Sequence, residues 1–213
     1  QKLSKVREDI ETADVIAIIS GKPAPLGLTD GARQTSGELV YTGYTRTAVM
    51  AVAQNAPFKG EWVSLAREYL ATMADVRRIL GELDPDADLH ATADGRGKSV
   101  AESTQRLARM LGRDAGEGAE ADWRMTACFI AECQLRSIHD GLATVLSRRP
   151  QLEGGKLICA GIGADAGAEL ALRLRLQPVT FGELVGLSGP LARAATHSAP
   201  ATAVGLLLAG TAV

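Results

Sequence analysis

Two short apolar runs bracket a long helical block, and that order restricts the chain to few architectures. Val15-Ile16-Ala17-Ile18-Ile19 is β-branched and stops at Ser20-Gly21-Lys22-Pro23, which predicts a buried strand, a turn and a second strand over 22–26. Lys156-Leu157-Ile158-Cys159-Ala160 predicts another strand, followed by a Gly161-Ile162-Gly163 turn and a helix over 165–174. Between the runs, Trp62, Leu65, Tyr69, Met73, Val76 and Leu80 recur at spacings of three and four. That stripe predicts one helix over 62–80, stopped by Gly81. Ser99 or Ser103 can cap the next helix, which carries Leu107, Met110 and Leu111 and ends at Gly112. Trp123, Ala127, Ile130, Ala131, Leu135, Ile138 and Leu142 place a long helix over 122–146. Residues 39–42 read as a strand or a helix start, Asn55-Ala56-Pro57 as a boundary, 180–184 as a short strand and 190–208 as closing helix. The pattern is that of an α/β protein, with a strand-rich part over 1–55, a helical insertion over 56–150 and a strand–turn–helix return over 151–213.

Three polar blocks lie inside this frame and are not demanded by any core. Thr92-Ala93-Asp94-Gly95-Arg96-Gly97-Lys98 joins a hydroxyl, a carboxylate, a guanidinium and an ammonium around two glycines. Ser36-Gly37-Glu38-Leu39-Val40-Tyr41-Thr42-Gly43-Tyr44-Thr45-Arg46-Thr47 is similar, and Tyr69 to Val76 lies between them. Arginine offers a planar fork to phosphate and lysine a point charge, so Arg96 and Lys98 are candidate anion ligands. Asp94 is a candidate catalytic group and a candidate Mg²⁺ ligand; the three can equally pair as a structural ion network. Glu38, Tyr41 and Arg46 form a second candidate wall, suited to an amine or a phenol, or else a cap and a packed ring. Asp75, inside the 62–80 helix, is a better candidate than Tyr69, because aspartate has poor propensity there. Gly161 and Gly163 open a helix after a strand, where backbone amides attract anions; the same pattern makes a tight turn.

With a net charge of −2 and 4% aromatic residues, the 213-residue chain has neither a global field for nucleic acid or anionic lipid nor stacking platforms. An anion site must be local. Cys128, Cys133 and Cys159 lack zinc-site spacing and read as reduced, buried thiols, and His90, His139 and His197 are far apart. No apolar stretch approaches the roughly 20 residues that span a bilayer. The expectation is a cytoplasmic protein without a signal peptide.

In their order, the Gly37–Thr47, Tyr69–Val76 and Thr92–Lys98 blocks resemble the hydantoinase A/oxoprolinase-like proteins linked to tetrahydromethanopterin-dependent C1 transfer, which act in methanofuran or methylofuran biosynthesis. The resemblance runs from about Asp14 to the C-terminus, with Ala160-Gly161-Ile162-Gly163-Ala164 in support. It implies the actin-like ATPase (ribonuclease H-like) fold with a helical insertion, incomplete at the N-terminus. It implies a transferase that joins an aminomethylfuran diphosphate to the phenol of a tyramine or tyrosine unit, with Mg²⁺ as cofactor and a possible homodimer. The wider superfamily suggests an ATP-dependent amidohydrolase of hydantoinase or oxoprolinase type instead.

In such a fold an acidic, glycine-rich turn before the first strand holds phosphate and Mg²⁺, which makes Thr12 a candidate phosphate ligand and Asp14 a candidate metal ligand. The expected glycines are missing from Asp9-Ile10-Glu11-Thr12-Ala13-Asp14. Either residues are absent near Ile10 to Thr12 or the turn has lost that role. Val15 to Ile19 would pair with strands preceding Gln1, so the functional protein should be longer than this sequence or borrow a strand.

Overall fold

In the computed structural model of the protein, residues 12–210 are described, and they fall into two compact units that divide after Leu142. The readings made on Asp9, Ile10 and Glu11 and on the last three residues lie outside the described residues. The protein is a mixed α/β chain with short sheets.

The first unit opens with β1 (Ala13–Asp14) and with β2 (Ile18–Ile19), which forms a hairpin with β3 (Lys22–Pro23). Helix α1 (Asp30–Ser36) is capped by the Thr29 hydroxyl and ends on Gly37 in the left-handed region, which turns the chain into β4 (Leu39–Val40) against β1. The 15–19 run is therefore not one buried strand. Its first part pairs with the segment after α1, with the Val15 amide donating to Glu38 O at 2.8 Å, and its last part turns into the β2–β3 hairpin. Ile16 and Ile18 are each 47% exposed, so the alternation is not covered on that face.

After the short helix α2 (Val49–Val52) come β5 (Asn55–Phe58) and β6 (Glu61–Ser64), an antiparallel hairpin where the sequence predicts a boundary and then a helix. Lys59 and Gly60 both have positive φ (49° and 83°), the geometry that lets a two-residue turn follow the strand twist. The 62–80 helix is thus corrected to a strand, a loop and α3 (Met73–Leu80). Trp62 is 63% exposed, with its ring edge-on to Phe129 at 5.1 Å, and is not part of the helical stripe. Gly81 does stop α3, at φ 76°.

Helices α4 (Val100–Met110) and α5 (Glu120–Ser147) follow the sequence reading closely. Ser99 caps α4 in a reciprocal box with Glu102, satisfying two otherwise orphaned amides. The core of this unit joins Met73, Val76 and Ile79 of α3 to Leu107 and Met110 of α4, with Trp123, Ala127 and Ile130 of α5. Phe58 packs on Trp123 at 4.5 Å between ring centroids, and the Trp123 indole N–H donates to Ala115 O at 2.9 Å.

The second unit carries β7 (Lys156–Cys159), α6 (Ala164–Arg173) and β8 (Gln177–Thr180), a strand–helix–strand unit with parallel pairing. Residues 181–184 form α7 (Phe181–Leu184) rather than a strand, because Thr180 and Glu183 build a capping box there. The closing helix is two, α8 (Gly189–His197) and α9 (Ala199–Leu208), separated at Ser198. Gly182 packs so closely on α8 that a Cβ would sit 2.1 Å from Ala192 O. Gly182→Ala is expected to destabilise this unit by about 3 kcal/mol, the upper end for overpacking, because backbone must move. Thermal denaturation of the variant checks it.

Among the described residues no helix is long and apolar enough to cross a membrane. The three cysteines are free thiols: Cys159 is buried, Cys133 half-buried and Cys128 exposed, so burial holds for only part of the set.

Candidate functional site

The three polar blocks meet. In the first unit a cleft of about 340 Å³ is lined by Thr45 and Arg46 from the first block, by Tyr69, Thr72 and Asp75 from the second, and by Thr92 from the third. Arg78, Asp88 and His90 complete its polar wall. Backbone pairing sets the first two blocks together. The Met73 amide donates to Thr47 O at 2.9 Å and the Ala74 amide to Thr45 O at 2.8 Å, so the start of α3 is clamped under the Thr45–Thr47 segment. The same bonds occupy the first amides of α3, which leaves the anion-attracting work in this cleft to side chains.

Below the cleft lies a buried ion network. Asp75 is almost wholly enclosed, and its Oδ1 accepts from Ser103 Oγ (2.8 Å), Arg106 Nε (2.8 Å) and Arg78 (3.3 Å), while Oδ2 accepts the Thr72 amide (3.1 Å). Arg106 has no exposed surface. It reaches on to Asp94 Oδ1 at 3.0 Å and to Gly97 O at 3.2 Å, so it ties α3 to the Thr92–Lys98 loop. Arg78 also donates to Asp88, and Lys98 bonds Asp88 O at 2.6 Å. Counting cleft and network together, the cations Arg46, Arg78, Lys98, Arg106 and Arg109 meet the carboxylates Asp75, Asp88 and Asp94. Glu102, which accepts the Gly97 amide at 3.0 Å, adds a further carboxylate near Arg106. The buried carboxylates are satisfied within the network, and guanidiniums line the cleft, the side chains that suit an anionic ligand.

The candidate residues divide by place. Asp94 sits between Arg106 and Arg109, with the Arg96 amide on Oδ1. Burial pushes its carboxyl up, but that amide and the two guanidiniums outweigh burial and hold it below the usual range. It is a weak proton acceptor, and its oxygens are turned to arginine. Lys98 is drawn to Asp88. The Arg96 side chain is exposed, lies outside the cleft lining, and meets no partner among the described residues.

Glu38 is fully enclosed and takes the Leu26 amide (2.7 Å), the Gly27 amide (3.0 Å) and the Ser36 hydroxyl (2.8 Å). It anchors the loop after β3 from below and does not line the cleft. Burial raises its carboxyl, yet these donors and nearby Arg33 lower it further than burial raises it. A lowered folded-state value means stability that is present above the unfolded value and lost as pH falls through the folded one. Glu38→Gln is therefore expected to cost about 1–3 kcal/mol at pH 7, with the difference from wild type shrinking below the usual glutamate value of about 4.5. Urea titrations at pH 7 and pH 3.5 check it. Tyr41 is half exposed, donates to Asp30 Oδ2 at 3.2 Å, and is raised by burial and by that carboxylate.

Asp14 forms an ion pair with Arg33 at 2.5 Å and accepts the Thr12 hydroxyl at 2.8 Å, beside the β1–β4 pair. Among the described residues no group of three His, Cys, Asp or Glu side chains is placed to hold a metal. Asp14 and Asp94 face guanidiniums, so as they stand these donor sets do not fit Mg²⁺, and no step is derived through it. Gly161, at φ 86°, and Gly163 turn the chain from β7 into α6, with Gly163 at the N-cap position. They belong to the second unit.

Sequence reasoning missed Arg78, Asp88, His90 and Arg106 as members of the site. One signal was available: Arg106 falls on the same stripe of α4 as Ser103, Leu107 and Met110, and an arginine on a buried face must have a partner. Asp75 was found for a different reason, since it sits at the third position of α3 in a capping box with Thr72 rather than in mid-helix.

No family model matches the chain. Over 103 residues, 48% of its length, it is 35% identical to the (4-{4-[2-(gamma-L-glutamylamino)ethyl]phenoxymethyl}furan-2-yl)methanamine synthase of Methanocaldococcus jannaschii, and the matched stretch is 31% of that protein.

Proposed function

We propose that the chain belongs to a cytoplasmic transferase of methanofuran or methylofuran biosynthesis, serving tetrahydromethanopterin-linked C1 transfer. Its substrates are an aminomethylfuran diphosphate and the phenol of a tyramine or tyrosine unit. The name of the M. jannaschii relative describes a phenoxymethyl-furan, that is, an aryl ether between a phenol oxygen and a furan methylene. Such a bond forms when the phenol oxygen takes the methylene carbon and a leaving group departs with the electron pair of the old C–O bond. A diphosphate leaving group needs its growing negative charge stabilised, and fixed cations supply this without reorganisation.

The observation that carries the reading is the cleft where the three polar blocks converge, with Arg46 and Arg78 in its lining over a buried network of arginines and carboxylates. Arg46 and Arg78 bind and orient the diphosphate. Arg106, through Asp75 and Asp94, keeps the start of α3 and the Thr92–Lys98 loop in place. The parallel β7–α6–β8 unit supports reading the second unit as part of an actin-like lobe. Incubation of the full-length protein with both substrates tests the function. The expected result is equal amounts of aryl ether and inorganic diphosphate by mass spectrometry and phosphate assay. Diphosphate release without ether would point to a hydrolase instead.

A further inference from the structure

We infer that His90 takes the phenolic proton in this transfer, an inference that rests on the function proposed above. The acceptor arrives as a phenol, and its oxygen becomes a good nucleophile only as its proton leaves. Among the described residues lining the cleft, the groups that carry charge or titrate are Arg46, Tyr69, Asp75, Arg78, Asp88 and His90. The two arginines hold no lone pair for a proton. Asp75 already accepts from four partners, and Asp88 is held by Arg78 and Lys98. Both carboxylates are committed to these donors within the buried ion network. Tyr69 is a phenol itself and offers no driving force for taking a proton from another phenol.

His90 is different in kind. It is exposed at the cleft wall, and its ring has no protein partner among the described residues. A neutral imidazole keeps one ring nitrogen with a free lone pair, which can take a proton. It lines the same cleft as Arg78, with Ala91 and Thr92 next to it in the chain, at the start of the loop that Arg106 fixes. The step balances: the phenol O–H bond breaks toward the imidazole nitrogen, and the phenol oxygen bonds the methylene carbon. The carbon–oxygen bond to diphosphate breaks with its electron pair on diphosphate, and the imidazolium later releases the proton to water.

The test uses the full-length protein, wild type and the variants His90→Gln and His90→Ala, with ether formation measured at saturating substrates. Proton transfer by a positioned base contributes typically 100- to 10,000-fold, so kcat should fall by about that range in both variants. Affinity for inorganic diphosphate, measured by calorimetry, should stay within about twofold, because Arg46 and Arg78 remain. Added imidazole should restore ether formation in His90→Ala. Unchanged kcat in His90→Gln, or a loss carried wholly by diphosphate affinity, or no rescue by imidazole, would overturn the role of His90 while leaving the transferase intact. Wild type that makes no ether would overturn both.

Discussion

Arg106→Ala is expected to lose about 3 kcal/mol of stability, with a fall in melting temperature on the order of 10 °C. The side chain is fully enclosed and binds Asp75, Asp94, Ser103 and Gly97 O at once. Removing it leaves Asp75 in a buried site with one strong cation fewer, and breaking a buried pair from one side typically costs several kcal/mol. The large part is the uncompensated charge rather than the value of the pair. Pairing Asp75→Asn with Arg106→Met should therefore recover part of the loss, since the stranded charge is gone. Differential scanning calorimetry of the single and double variants reads both effects. A single variant as stable as wild type would mean that the network is not enclosed as described.

Arg46→Ala is expected to weaken inorganic diphosphate binding by roughly 10- to 100-fold, read by calorimetry. A charge-assisted contact to an anion contributes about 1.5–3 kcal/mol, and each 1.4 kcal/mol is a factor of ten. Arg46 is half-buried and lines the cleft, where it would meet a bound anion. Arg78 is a poorer probe of affinity, because it also holds Asp75 and Asp88 and its loss would lower stability. Arg96→Ala is the matching control. Its side chain is exposed and outside the cleft lining, and its diphosphate affinity should stay within about twofold.

The α4 and α5 helices were readable because caps and stripes agreed over many residues. Ser99 with Glu102, and the run from Trp123 to Leu142, each point to one answer. The 62–80 stretch misled because apolar residues of a strand, a loop and a short helix fell by chance at helical spacing. The true hairpin turn, Lys59-Gly60, lacks the Asn-Gly or Asp-Gly pair that announces such turns, and lysine at positive φ is not a sequence signal. Val15 to Ile19 misled because β-branched composition reports strand preference but not pairing: Val15 bonds Glu38 O, just before β4, while Ile18 and Ile19 pair with β3.

For the site, the polar blocks were legible as blocks because they carry charge that no core requires. The partners that each side chain meets were not. Glu38 looks like a catalytic acid in sequence and is an anchor for two backbone amides in the structure. Asp94 looks like a metal ligand and faces two arginines, one of them twelve residues on in α4. Such pairings join residues 75, 94 and 106, and only the packing of α3 on α4 brings them together.

A crystal structure of the full-length protein with inorganic diphosphate tests the central claim most directly. Diphosphate oxygens should lie within hydrogen-bond distance of both Arg46 and Arg78, in the cleft that His90 also lines. Diphosphate seated on the Gly161–Gly163 turn, with nothing between Arg46 and Arg78, would contradict it.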